Sequence, residues 1–186
     1  MDVLILIVVN IANILSVWLA AKNNRLTWGI GFVAVAITAV LFFMSEHYMS
    51  FAFNTYSAVM CIVGHFRWKD SVAENDEAIK WSKPYLSIAI CAILSIGIYC
   101  INCELSQNPL LDSIGTAVSV VAAYLLVKQD VNAWLLYLLS DVIYIYLGLV
   151  SGDWQYTIIF GVMMILATYG TREFILKYRE NEKAIS

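Results

Sequence analysis

The sequence predicts an all-α polytopic membrane protein with seven transmembrane helices in a 3+1+3 parallel repeat. Three observations lead to this fold class: a strongly apolar composition, seven apolar runs with short connections, and an internal repeat. Hydrophobic residues make up 61% of the 186 residues and charged residues only 13%, and the mean hydropathy is +0.76. Soluble domains carry about 25% charged residues. We therefore expect almost no soluble domain, in a chain with room for about seven spans of ~20 residues.

The apolar runs, together with two prolines, indicate where the spans begin and end. Pro84 and Pro109 stand at the starts of the fourth and fifth spans, where a missing backbone N–H does no harm. No basic segment precedes the first apolar run, so we interpret it as a mature span and not as a secretory signal peptide. The predicted spans are 2–21, 27–44, 48–66, 84–101, 109–127, 131–149 and 154–171.

These spans divide the chain into five segments. We expect a first three-helix bundle (1–68), a charged cytoplasmic loop (69–83), a linker helix (84–101), a second three-helix bundle (102–174) and a cytoplasmic tail (175–186).

The basic residues predict the orientation in the membrane. All eleven Lys and Arg residues lie between spans one and two, three and four, or five and six, or after span seven. With seven spans these regions share one side of the membrane. The positive-inside rule then places the N-terminus outside and the C-terminus in the cytoplasm. The expected location is the inner (cytoplasmic) membrane of a bacterium.

An internal repeat appears when the chain is shifted along itself, without gaps, until Trp28 falls on Trp134. Two triplets of helices joined directly would point in opposite directions, because three is odd, and the fourth span restores a parallel orientation. Parallel repeats of this kind occur in small transporters, whose substrate sites lie near the middle of the bilayer. The same shift pairs Leu19 with Leu125, Lys22 with Lys128, Leu41 with Leu147, Ser45 with Ser151, and Gly64 with Gly170.

The sixth span carries the most informative pattern. On a helical period, Trp134, Tyr137, Asp141, Tyr144 and Gly148 fall on one face. A carboxylate at membrane depth is costly and usually faces the bundle interior or a water-filled path. It forms either a hydrogen bond between helices or one wall of a polar-substrate site. The aromatic residues on the same face favour the substrate site.

Three short motifs resemble the PnuC family of bacterial vitamin transporters, which share the 3+1+3 architecture of the SWEET sugar transporters. The motifs are NAWLLYLLSD (132–141), YSAVMCIVGHFRW (56–68) and YGTR (169–172). This sequence has Ala133, Tyr137 and His65 where the family usually has Asn, Trp and Trp. Because these substitutions lie in the aromatic motifs, they leave open which vitamin is carried.

The resemblance implies a transported B-vitamin precursor, nicotinamide riboside or thiamine, each with a planar cationic ring. Stacking of such a ring on an aromatic face is worth about 0.5–2 kcal/mol. Asp141 would bind the cation, the ribose hydroxyls or a neighbouring helix. Trp28 and Trp134 could equally belong to the interfacial belt of tryptophans. The predicted substrate-binding residues are Trp28, Asn54, Tyr56, Met60, Asn132, Trp134, Tyr137, Asp141 and Tyr144.

The remaining polar residues receive less specific interpretations. Asn10 and Asn13 are expected to form hydrogen bonds between helices, and His65 to be hydrogen-bonded near the cytoplasmic membrane surface. Cys100 and Cys103 form a C-x-x-C without the context of a redox protein, so a disulfide is not expected. No motif for a metal, a cofactor, a nucleic acid or an enzyme reaction appears.

The sequence therefore predicts facilitated diffusion by alternating access, with no cofactor. The family resemblance implies a partner, a cytoplasmic vitamin kinase that traps the substrate by phosphorylation. A homo-oligomer is compatible with the sequence. A SWEET-like sugar transporter, a membrane-embedded enzyme and a non-transporting receptor are the alternatives. A retinal protein is excluded, because residues 154–170 contain no lysine for a Schiff base.

Overall fold

A computed structural model describes residues 3–73, 79–103, 106 and 108–185. Apart from one isolated bridge, its regular structure is helical, which confirms the predicted all-α class. The helices within these ranges are α1 (Val3–Ala21), α2 (Leu26–Met44), α3 (Tyr48–Ala73), α4 (Tyr85–Asn102), α5 (Pro109–Val127), α6 (Asn132–Ser151) and α7 (Trp154–Ile185).

Six of these helices are long and apolar enough to cross a membrane: α1, α2, α4, α5, α6 and α7. The exception in the described part of the chain is α3, whose sequence includes Asn54, His65 and several hydroxyl-bearing side chains. With these polar groups, α3 has no membrane-length stretch as apolar as those of the other six. Composition therefore supports six of the seven predicted spans, and the crossing by α3 stays a prediction.

Two helices extend beyond the predicted spans. The third span was expected to end at residue 66 and the seventh at residue 171, but α3 continues to Ala73 and α7 to Ile185. An apolar run marks the part of a helix that suits lipid, whereas the backbone hydrogen bonds continue through charged residues that favour helix formation. The predicted loop (69–83) therefore begins inside α3, and the predicted tail (175–186) is helical through Ile185.

The chain divides into two compact units, Met1–Ala78 and Ile79–Ser186. In the first unit, α2 packs against both α1 and α3. In the second unit, α4 packs on α5, α5 on α6, and α6 on α7. The predicted linker helix thus packs with the triplet that follows it.

Local features recur in the two units in the register that pairs Trp28 with Trp134. In this register the first residues of α1, α2 and α3 coincide with the first residues of α5, α6 and α7. The left-handed residues that end the first two helices of each triplet coincide as well: Asn23 (φ 57°) with Gln129 (φ 56°), and Glu46 (φ 61°) with Gly152 (φ 72°). The parallel orientation of the two triplets stays a prediction.

The hydrogen bonds around these left-handed residues recur as well. Asn23 N and Asn24 N donate to the carbonyls of Ala20 (2.8 Å) and Leu19 (2.9 Å). This pair of bonds defines a Schellman motif at the end of α1. In the same register, Gln129 N and Asp130 N donate to Leu126 O (2.9 Å) and Leu125 O (3.0 Å). The recurrence in backbone geometry extends the evidence for a duplication beyond matching side chains.

Candidate functional site

The predicted face of α6 coincides with the buried side of that helix. Asp141, Tyr144 and Gly148 are buried and Tyr137 is half-buried. Ser140, which was not predicted as a site residue, is buried next to Asp141, and its hydroxyl donates to Tyr137 O (2.9 Å). The opposite side of the helix is apolar and exposed, at Leu135, Leu139, Val142 and Tyr146.

Asp141 is a buried residue, 5% exposed. Among the residues that the structure describes, none donates a hydrogen bond to it. The alternative prediction, a structural hydrogen bond between Asp141 and another helix, is therefore not met among the described residues. A buried carboxylate without a donor or a counter-charge is unfavourable. Asp141 is thus a buried carboxylate whose hydrogen-bonding capacity is not used by the described residues.

Tyr144 joins three helices of the second unit. Its hydroxyl lies 3.1 Å from Thr116 Oγ1 on α5, and its ring centroid lies 4.7 Å from Phe160 and 6.0 Å from Tyr156, both on α7. Gly115 lets α5 approach this ring, since a Cβ there would stand 3.2 Å from it. The result is a cluster of aromatic rings next to the Asp141 face, which suits a planar group.

Thr116, Tyr156 and Phe160 contact Tyr144 but are not among the residues predicted from the sequence. Tyr156 and Phe160 are spaced one helical turn apart, a signal that was present but does not distinguish an aromatic site from aromatic core. Thr116 looked like an isolated hydroxyl. Only the packing of α5 on α6 brings its side chain to Tyr144.

Trp134 is packed in the interior of the second unit. Its side chain is 1% exposed, its ring lies over Gly170, where a Cβ would overlap the indole, and its centroid is 5.5 Å from that of Phe174. Tyr137 stands at the other side, 6.2 Å between centroids. Because Trp134 is buried inside the protein, it does not belong to the interfacial belt of tryptophans, which was the alternative prediction.

Trp28 has the same environment in the first unit. It is 6% exposed, its ring lies over Gly64, and it meets the edge of Trp68 at 5.0 Å. Trp68 and Phe174 occupy equivalent positions of the repeat. Both Trp28 and Trp134 bury an indole N–H that has no acceptor within the described residues. The covered ring faces give the two tryptophans a packing role, and the unpaired N–H groups remain free to donate.

Asn132 forms hydrogen bonds that were not predicted from the sequence. Its Nδ2 donates to Ser82 O (2.7 Å) and approaches Ser82 Oγ (3.3 Å), and its backbone N donates to Asp130 Oδ1 (2.9 Å). Ser82 N in turn donates to Asp130 Oδ2 (3.3 Å). Asn132 thus holds the segment before α4 against the turn between α5 and α6.

A short parallel bridge completes this attachment. Lys80 N donates to Gln129 O (3.1 Å), and Val131 N donates to Lys80 O (2.9 Å). We call residues 79–83 the docked segment. No periodicity signals an isolated bridge of this kind, which is why the sequence suggested a simple loop.

Apart from Trp28 on α2, the predicted site residues of the first unit lie along α3. Asn54, Tyr56 and Met60 are half-buried, and Asn54 Nδ2 donates to Ser50 O of its own helix (2.8 Å). Near the end of α3, His65 Nε2 lies 2.8 Å from Arg25 Nη2. This hydrogen bond confirms the expectation for His65.

The chain matches the family model described as "Nicotinamide mononucleotide transporter" over residues 3–175. The nicotinamide riboside transporters PnuC of Escherichia coli (strain K12) and of Shigella flexneri are each 22% identical to it over 201 residues, covering 91% of this chain and 84% of the relative. The crystal structure of the vitamin B3 transporter PnuC has the same fold, with a TM-score of 0.79 at 18% identity over 96% of this chain and 83% of that one. All of these relatives are transporters and not enzymes. Since the family model spans nearly the whole sequence, this chain belongs to the nicotinamide mononucleotide transporter family of multi-pass membrane proteins.

Proposed function

We propose that this protein carries nicotinamide riboside across the bacterial inner membrane by facilitated diffusion with alternating access. The observation that carries the proposal is the buried Asp141 carboxylate, which has no donor in the described chain and lies on the same face as Tyr137 and Tyr144. A permanently cationic aromatic ring supplies both the missing positive charge and a flat surface for the aromatic side chains.

The charge pattern supports the riboside over the mononucleotide. None of the eleven Lys and Arg residues lies within 3–21, 26–44, 48–66, 85–102, 109–127, 132–151 or 154–171. A phosphate carries a charge of about −1.5 to −2 and is bound in proteins chiefly by Arg, Lys and helix N-termini. In these stretches it would meet Asp141 and Asp112 and no Lys or Arg. The chemistry of this chain therefore favours the unphosphorylated nucleoside.

The same charge pattern supports trapping after transport. Once a cytoplasmic kinase adds a phosphate to the riboside, the product no longer fits a path without Lys or Arg and stays inside. Net uptake then needs no ion gradient. Consistent with this, the last span contains no chain of titratable groups such as a coupled pump uses.

Asp141, Tyr144 and Tyr137 form the centre of the proposed site in the second unit. Asn54, Tyr56 and Met60, on α3 of the first unit, are proposed as substrate contacts from the sequence alone. Trp28 and Trp134 act by fixing the helix packing within their own units, because their rings are covered and their indole N–H groups are buried. Asn132 acts indirectly, because its amide nitrogen is bonded to the docked segment.

Thiamine is the second candidate substrate, since it also carries a planar cationic ring, and a sugar is the third. Purified protein should be titrated calorimetrically with nicotinamide riboside, nicotinamide mononucleotide, thiamine and glucose, followed by flux measurements in liposomes. We expect saturable binding and downhill flux of the riboside and no binding of the mononucleotide. Binding of glucose alone would identify a sugar carrier. Accumulation against a gradient driven only by a pH or sodium gradient would contradict facilitated diffusion.

A further inference from the structure

Two amide side chains of α1 form no hydrogen bond with the described residues of the first unit. Asn10 and Asn13 stand one helical turn apart near the middle of the span, and both are half-buried. Since an α-helix turns by ~100° per residue, Asn13 lies roughly opposite the exposed apolar side of α1, and Asn10 lies at its flank. That side includes Leu4, Ile7, Val8, Ile11, Leu15 and Trp18.

The two amides take no part in the side-chain hydrogen bonds between α1 and α2. Those bonds join Ser16 and Thr27: Ser16 Oγ donates to Thr27 O (2.9 Å), and Thr27 Oγ1 donates to Ser16 O (2.8 Å). Within the described ranges, neither Asn10 nor Asn13 makes a side-chain hydrogen bond. The expectation that they bond to a neighbouring helix is therefore not met there. Unpaired amides at membrane depth are unfavourable unless a polar group binds them.

The internal repeat shows how the second unit uses the same positions. Asn10 and Asn13 correspond to Thr116 and Ser119, whose hydroxyls are bonded to Tyr144 (3.1 Å) and to Gly115 O (2.9 Å). The polar groups at these positions of α5 are thus satisfied inside the protein.

In the first unit the partner side chain is too short. Thr38 stands at the position that corresponds to Tyr144, and its hydroxyl donates to Ala34 O of its own helix (2.9 Å). No phenol extends toward Asn10 or Asn13 from that position. The amides therefore keep their full hydrogen-bonding capacity.

The difference between the units extends to α3 and α7. The second unit has an aromatic cluster, Tyr144, Tyr156 and Phe160, whose ring centroids lie 4.6–6.0 Å apart. The corresponding residues of the first unit are the smaller and polar Thr38, Ser50 and Asn54. One unit thus presents aromatic surface and the other presents hydroxyl and amide groups at equivalent positions.

We propose that Asn10 and Asn13 are substrate-contacting residues that bind the ribose hydroxyls of the transported nucleoside. This assignment rests on the proposed function. Each amide offers two N–H donors and a carbonyl acceptor, which matches a pair of neighbouring hydroxyls that donate and accept.

The test measures discrimination among ligands that differ only in the sugar. Wild-type protein and the Asn10→Ala, Asn13→Ala double variant are titrated with nicotinamide riboside and its 2′-, 3′- and 5′-deoxy analogues. The wild type should bind at least one deoxy analogue about tenfold or more weakly, since sites that hydrogen-bond a hydroxyl reject ligands lacking it. The double variant should bind the riboside about tenfold more weakly and should bind that analogue and the riboside within twofold. Ile11→Ala, on the exposed side of α1, is the matched control and should retain the wild-type pattern.

Three results would overturn the assignment. The double variant could bind the riboside as tightly as the wild type, or it could lose affinity for all four ligands by the same factor and keep its discrimination. The wild type could also bind all four ligands equally. If the double variant does not purify as a monodisperse species, the single Asn10→Ser and Asn13→Ser variants replace it under the same criteria. A wild-type protein that binds none of the four ligands would instead refute the proposed function.

Discussion

The indole ring of Trp134 occupies the space that a Cβ would need on Gly170. Trp28 and Gly64 have the same relationship in the first unit, so in each triplet a tryptophan of the second helix packs over a glycine of the third helix. In both units a second ring, Phe174 or Trp68, closes the edge of the indole. Trp28 and Trp134 thus fix the packing of these helices, with their indole N–H groups buried and without an acceptor among the described residues.

This packing predicts that Gly170→Ala is destabilising. An added methyl group must displace the Trp134 ring, and overpacking of this kind costs about 1–3 kcal/mol. Thermal unfolding of the purified protein in detergent should show a lower melting temperature. The matched control is Gly161→Ala on the same helix, where nothing lies within 4 Å of the added Cβ, and we expect it to be neutral or stabilising by up to about 1 kcal/mol. Equal melting temperatures for the two variants would contradict the packing described for Trp134.

Replacement of Asp141 by Asn should weaken binding of the cationic riboside by tenfold or more. The substitution keeps the size of the side chain and removes the negative charge that the ring would neutralise. Calorimetric titration gives the affinity, and size-exclusion chromatography checks that the variant is intact. Glu180→Gln, an exposed acid on the extension of α7, serves as the charge control. Unchanged riboside affinity in Asp141→Asn would move the site to another part of the protein.

The hydrogen bond between Thr116 and Tyr144 should appear as a coupling in unfolding free energy. In a double-mutant cycle with Thr116→Val and Tyr144→Phe, we expect about 0.6 kcal/mol, a typical value for hydrogen bonds between membrane helices. The cycle of Thr116→Val with Tyr146→Phe is the control, because Tyr146 is exposed on the other side of α6. The same coupling in both cycles would show that the 3.1 Å contact contributes nothing specific.

Loss of the Asp130 carboxylate should loosen the docked segment. Asp130→Ala removes the acceptor of Ser82 N and of Asn132 N. The amides of Lys80 and Val131, which bond across the bridge, should then exchange with deuterium about tenfold faster. Asn24→Ala, at the equivalent turn of the first unit, should leave exchange at these two amides unchanged. An unaltered rate in Asp130→Ala would mean that the bridge holds without these side-chain bonds.

The number of crossings predicts where the two ends of the chain lie. If α3 spans the membrane together with the six more apolar helices, the ends are in different compartments. A fluorescent protein fused to the C-terminus should fold in the cytoplasm, and an epitope tag at the N-terminus should be accessible to protease from outside. Finding both ends in the same compartment would show an even number of crossings and remove the parallel 3+1+3 arrangement.

The sequence alone determined the helical class, the approximate bounds of the helices and the register of the repeat. These features follow from local chemistry: apolar runs of sufficient length mark the lipid-spanning segments, and two copies of one sequence place similar turns and helix ends at a fixed offset. The burial of Asp141 was also predictable, because helical periodicity decides which side chains share a face. The family resemblance, which rests on the motifs around Trp134 and Gly64, was also correct.

The tertiary structure decided which of these side chains are already satisfied. Asn132 and Asn10 look alike in the sequence, as polar residues in or beside an apolar run. The side chain of Asn132 is bonded to Ser82, whereas that of Asn10 has no hydrogen bond within the described chain. Such differences depend on side chains from segments far away in the sequence, and no local pattern encodes them. The physical reason is that a hydrogen bond needs its partner within about 3 Å, and only the packing of the helices sets that distance.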